Sequence, residues 1–202
     1  MNVRYRIVGI GNSIVNGFPL KRSECFLSLI RQDTGHEVIN KGANGETTEG
    51  IRSRFVKDLL FHCPDIGLVL TGTNDFIHQT ATPEEALANL EWMVRKMEEE
   101  KIRPLLLTPI PVFPELASEQ WMAGAGVDYE RVNRELSELS RLMKEKFPDQ
   151  VLDLGGLFEE AVKNRPIGEI TLDGIHPTAE GHRIIARILE KWLEEKGLQE
   201  NG

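Results

Sequence analysis

Short runs of aliphatic and β-branched residues alternate along the chain with longer stretches in which apolar residues recur every three or four positions. The runs Tyr5–Ile10, Glu37–Asn40, Ile66–Thr71, Pro104–Thr108 and Val151–Leu154 predict strands. Residues 24–33, 48–61, 83–101, 128–147 and 179–196 predict helices. In the fourth of these, Val132, Leu136, Leu139, Met143 and Phe147 line one buried face, and Pro148 stops it. The last repeats the pattern with Ile184, Ile185, Ile188, Leu189, Trp192 and Leu193. The third has an explicit start, with Thr82 as N-cap, Pro83 in the first turn and Glu85 completing a capping box.

Strand and helix alternating in this way predict a parallel sheet covered by helices on both faces, a three-layer α/β/α sandwich with five strands. The run Ile66–Leu70 is almost wholly apolar, as a central strand buried on both sides should be. No linker divides the chain, so a single domain over 1–202 is expected, with 197–202 as a loose tail. The longest irregular piece is 109–127, punctuated by Pro109, Pro111, Pro114, Gly124 and Gly126. A segment of that length within a compact domain is expected to serve function.

The 202 residues are 40% hydrophobic and 28% charged, which excludes a disordered chain. The net charge of −8 argues against a nucleic-acid groove or an anionic-membrane surface and permits a neutral small-molecule substrate. Cys25 and Cys63 lie in apolar stretches and read as reduced core residues. The start MNVRYR is basic, but the apolar run Ile7–Ile10 is too short for a leader and no stretch is of spanning length. A cytoplasmic location is therefore expected. The sequence does not indicate the oligomeric state.

In open α/β sheets, ligands bind beyond the carboxyl ends of the strands. Four polar, glycine-punctuated clusters fall there: Gly11-Asn12-Ser13, Asn40 to Gly45, Gly72-Thr73-Asn74-Asp75, and Asp173-Gly174-Ile175-His176-Pro177. Ser13 taken alone is equally a turn serine; its partners give it chemistry. A serine hydroxyl needs a base, and His176 is the candidate. Asp173, three residues earlier, can accept the Nδ1–H hydrogen bond and leave Nε2 facing Ser13. Gly45 can offer a backbone N–H, and Asn74 its amide, to a developing oxyanion, beside the N–H of Ser13 itself.

These blocks resemble the SGNH hydrolases, also called the GDSL esterase/lipase family. The nucleophile falls on Ser13 in GNSI, the oxyanion glycine on Gly45 in NKGANGETT, the oxyanion asparagine on Asn74 in GTND, and the Asp-x-x-His pair on Asp173 and His176 in DGIHP. The resemblance spans Gly11 to Pro177 in order. It implies a flavodoxin-like fold and cofactor-free hydrolysis of carboxylic esters through an acyl-serine. Carbohydrate O-deacetylase, thioesterase and lysophospholipase activities stay open within it. One position departs: Asn12 stands where the family has Asp, which is expected to tune activity and not to abolish it.

The dinucleotide reading of Gly9-Ile10-Gly11 fails, because Ile14 occupies the third glycine position and Asn40 stands where an acidic residue should close the second strand. Asp173 and His176 lack further clustered ligands, so no metal is expected. His36, His62 and His182 read as structural. His78 follows Asn74 in the same loop and is a candidate for the substrate pocket, along with Phe18, Phe76, Ile77, Phe113, Trp121, Met122 and Ile175. The segment 109–127 is expected to form a wall or flap over the acyl site.

Overall fold

The computed structural model describes residues 4–120 and 126–197. The strands are β1 (Arg6–Gly11), β2 (Glu37–Gly42), β3 (Ile66–Leu70), β4 (Arg103–Leu107) and β5 (Val151–Leu152). All pair in parallel, in the order β2-β1-β3-β4-β5. The helices are α1 (Ser13–Asn16), α2 (Phe26–Thr34), α3 (Thr48–Asp58), α4 (Thr73–Ile77), α5 (Pro83–Glu99), α6 (Pro114–Gln120), α7 (Tyr129–Lys146), α8 (Leu154–Val162), α9 (Ile167–Ile170) and α10 (Ala179–Gly197).

Period-two alternation sorts the strands' side chains into two cores. Ile7, Leu68, Leu70, Leu105 and Leu107 face α2, α8 and α10, where Phe26, Phe158 and Leu189 meet them. Val8, Ile10, Val69 and Leu106 face α3, α5 and α7, against Phe55, Met93 and Leu136. Glycines let helices approach closely. A Cβ on Gly9 would lie 2.5 Å from a methyl of Leu27, and one on Gly67 would lie 2.3 Å from the Met97 sulfur.

The five strands and five long helices stand where periodicity predicts them, with ends shifted by a few residues. Thr82 and Glu85 form the capping box as expected: Glu85 N–H donates to Thr82 Oγ1 at 3.2 Å, and Thr82 N–H to Glu85 Oε2 at 2.8 Å. Besides the short helices α1, α4 and α9, which the periodicity does not show, three features differ. The last strand ends at Leu152, because Asp153 caps a helix, α8, that the sequence reading lacks. Gly155 and Gly156 hide that helix, yet Gly155 is required there: a Cβ would lie 2.4 Å from Pro109 O. Within 109–127, residues Pro114–Gln120 are helical and not irregular. Cys25 is buried as expected, but Cys63 is exposed, because it ends a 3-10 turn with φ +44 and points away from the core.

The strand order reverses beside β1, so the ends of β1 and β3 border the crevice where such sheets bind ligands. Ser13 follows β1 after one residue, and Asn74 lies four residues beyond β3.

Candidate active site

Ser13 is the first residue of α1, and Asn12 is its N-cap: the Asn12 side-chain oxygen accepts the Ile14 N–H at 3.0 Å. An N-cap needs a side-chain acceptor and no charge, which accounts for asparagine here. Residues at a helix start have no intrahelical acceptor for their N–H groups, so Ser13 N–H belongs to a set of donors suited to an anion. The turn is packed tightly against β2, where a Cβ on Gly42 would lie 2.1 Å from the Asn16 nitrogen.

Ser13 Oγ lies 2.9 Å from His176 Nε2, and His176 Nδ1 lies 2.7 Å from Asp173 Oδ2. Both the serine and the histidine are buried. The other carboxylate oxygen, Asp173 Oδ1, accepts the backbone N–H groups of Ile175 (2.9 Å) and His176 (2.7 Å). Burial pushes the Asp173 carboxyl up, but the His176 ring and these two N–H groups outweigh it and hold the carboxyl below its ordinary value. An ionised carboxylate only accepts, so Nδ1 carries the proton and Nε2 accepts from the serine hydroxyl. The His176 carbonyl accepts from Leu172 N–H and Thr171 Oγ1, which fixes the loop. Phe18 sets its ring edge-on to the imidazole, centroids 5.1 Å apart.

The other two blocks are stitched to this one. Ala43 N–H donates to Gly11 O at 3.0 Å, and Asn16 Nδ2 donates to Asn44 Oδ1 at 2.8 Å. These contacts hold the turn of Gly45, whose φ of +77 favours glycine, beside α1. Asn74 Nδ2 donates to Glu46 O at 2.9 Å, which spends one of its two N–H groups and orients the other. Asp75 is fully buried and accepts the Thr48 hydroxyl (2.6 Å) and the Thr48 N–H, docking α4 on the start of α3. Burial raises the Asp75 carboxyl above its ordinary value. Sequence reasoning passed over Asp75 and Thr48, although an acid directly after Asn74 in GTND was a signal.

The expected substrate-contact residues divide. Phe18 stands against His176, and Phe113 is half-buried near it, its N–H donating to Gly174 O at 2.8 Å. His78 is exposed at the end of α4. Phe76 does not line a pocket: it is fully buried in the core, because two residues along a helix turn it roughly 200° from Asn74. Ile77 and Ile175 are also core residues, 5% and 6% exposed. Trp121 and Met122 lie outside the described residues. His182 is buried, stacked on Phe26, and accepts the Phe26 N–H through Nδ1. Among the described residues, no helix is long and apolar enough to cross a membrane.

Comparison with known proteins bears on the family and the fold. An acetylxylan esterase from Geobacillus stearothermophilus is 24% identical over 176 residues, covering 86% of this chain and 78% of the relative. A solved G-D-S-L-family protein from Desulfitobacterium hafniense DCB-2 superposes with a TM-score of 0.74 at 25% identity, over 92% of this chain and 98% of that one. The lipase/acylhydrolase from Enterococcus faecalis shares the fold with a TM-score of 0.75 at 22% identity, over 95% and 96% of the two chains. Residues 10–184 match the model of the GDSL-like lipase/acylhydrolase family, so the stretch that carries Ser13, Asn74 and His176 is the stretch that defines it. The chain belongs to that family, the SGNH hydrolases of the sequence blocks, and is a carboxylic ester hydrolase.

Proposed function

We propose that the chain is a serine esterase working through an acyl-serine, with Ser13 as nucleophile, His176 as general base and acid, and Asp173 orienting the imidazole. The observation that carries this reading is the continuous relay from Ser13 Oγ to His176 to Asp173, at 2.9 and 2.7 Å. Ser13 Oγ attacks the ester carbonyl and its proton passes to Nε2. The imidazolium is stabilised by the Asp173 carboxylate. Ser13 N–H, Gly45 N–H and Asn74 Nδ2 take the oxyanion. Collapse expels the alcohol, protonated by His176, and water activated by the same histidine then releases the acid.

For the substrate, O-acetylated carbohydrate is the reading favoured, on the likeness to the acetylxylan esterase. The opening of the 109–127 segment forms a wall beside the acyl site in this reading. Its α6 rests on the Asp173–His176 loop, where a Cβ on Gly174 would lie 2.4 Å from Ala117 N. The test compares wild type and Ser13→Ala on p-nitrophenyl acetate, butyrate and octanoate, acetylated xylo-oligosaccharide, an acyl thioester and a lysophospholipid. Ser13→Ala should lose more than about 10,000-fold in kcat, and the acetylated sugar should be turned over. Retained activity in Ser13→Ala overturns the mechanism; preference for thioester or lysophospholipid overturns the carbohydrate assignment.

A further inference from the structure

We infer that Arg54 is the positioning residue of the oxyanion hole, a single guanidinium that holds the segments of Ser13 and Gly45 directly and that of Asn74 by way of Glu46. The inference rests on the proposed role of Ser13, Gly45 and Asn74. Arg54 lies on α3, outside the four sequence blocks and away from the Ser13–His176 relay. Its side chain is only 19% exposed. Nη2 donates to Gly11 O at 3.1 Å, two residues before Ser13. Nη1 donates to Lys41 O at 2.9 Å, four residues before Gly45, and to Asp58 Oδ2 at 3.0 Å. Nε faces Glu46 Oε1 at 3.4 Å. The carbonyl of that same Glu46 accepts from Asn74 Nδ2.

The ends of β1 and β2 and the residue after Gly45 therefore all meet one planar cation. Oxyanion donors act through preorganisation, so a displacement of a fraction of an ångström costs rate without costing substrate affinity. The guanidinium fork suits this task because it holds several acceptors at fixed angles; a lysine ammonium in its place keeps the charge but not the fork. Glu46 Oε2 and Arg54 Nε are buried and have no hydrogen-bond partner among the described residues. Arg54 is thus held between two carboxylates, hydrogen-bonded to Asp58 and facing Glu46, so loss of the guanidinium leaves both acids without their cation.

The experiment measures kcat, KM and melting temperature on p-nitrophenyl acetate for wild type, Ser13→Ala, Arg54→Lys, Glu46→Gln, Asn74→Ala and the Arg54→Lys/Asn74→Ala double variant. Arg54→Lys should lower kcat about 10- to 100-fold with KM within about threefold of wild type. Because Arg54 reaches Asn74 only by way of Glu46 and holds the Ser13 and Gly45 segments directly, the double variant should be worse than Asn74→Ala alone but by less than the product of the two losses. Multiplying losses in the double variant, a fall in kcat matched by a rise in KM, or wild-type kcat in Arg54→Lys overturns the inference. If Arg54→Lys melts too low to assay, Glu46→Gln carries the test: it keeps the carbonyl that holds Asn74 and removes the carboxylate that faces Arg54. It should lose about tenfold in kcat, and unchanged kcat overturns the inference. Ser13→Ala separates the two levels. Activity retained in Ser13→Ala removes the mechanism itself, whereas an inactive Ser13→Ala beside an unimpaired Arg54→Lys removes only the role of Arg54.

Discussion

Asn12 shows how a departure from a family pattern can be read as a requirement met by other means. Its side-chain oxygen accepts the Ile14 N–H and starts the helix that presents Ser13. Asn and Asp are near-equal N-caps, whereas Ala has no acceptor. Asn12→Asp should therefore leave kcat/KM within about threefold of wild type, while Asn12→Ala should lose about 1 kcal/mol of stability and misplace the nucleophile turn. Ester turnover and thermal melts of the two variants check this, and a large loss in Asn12→Asp would mean that charge beside Ser13 matters. Single residues also mark what sequence reading reaches. Ser13 just past β1, and Asp173 three residues before His176 ahead of the last helix, are types and spacings that the sequence displays directly, and the fold brings the three side chains together. Phe76 was misread because proximity to Asn74 in the chain says nothing of which way a helix turns it. Arg54 was missed because an arginine on an amphipathic helix looks like a solvated one.

At the scale of elements, long periodic helices and apolar strands declared themselves, and short or glycine-rich ones did not. Helices α1 and α4 have four and five residues, too few to show a period, yet they carry Ser13 and Asn74. Helix α8 begins Leu154-Gly155-Gly156, which reads as a turn; only contact with Pro109 explains Gly155. The Asp173–His176 loop likewise depends on a neighbour. Gly174 has φ +83, and a Cβ there would lie 2.7 Å from Phe113 O as well as against Ala117 N. Gly174→Ala should therefore push the loop off α6, costing about 1–3 kcal/mol of stability and lowering kcat through a displaced His176. A melt combined with turnover at saturating ester measures both, and unchanged kcat would show that the loop keeps its place without α6.

Across the whole molecule, one of the two cores makes stability depend on acid. His182 lies on α10 in the core shared with α2, where burial, with a smaller repulsion from His176, lowers its pKa to about 4 from an ordinary 6.5. Between those values the unfolded chain binds more protons than the folded one, so stability rises with pH across the window. The contribution is complete above about pH 6.5 and is lost as pH falls toward 4, roughly 3 kcal/mol in all. The lowered Asp173 carboxyl acts in the same sense, but below the ordinary carboxyl range. Wild type should melt at lower temperature at pH 4.5 than at pH 7, and His182→Gln should flatten that difference. An equal slope in both proteins would move the acid sensitivity elsewhere.

Directionality along the sheet has a practical side. β1 enters at Arg6 and runs about 16 Å before it delivers the turn of Ser13. α10 leaves the His176 loop and runs back over 19 residues, with Trp192 under the Arg103 guanidinium at the opposite edge of the sheet. Both ends of the described chain thus leave from the side away from Ser13. A handle attached close to Arg6 or to the Trp192 end of α10 would lie behind the edge that carries Ser13, leaving that edge clear for substrates as bulky as a polymer.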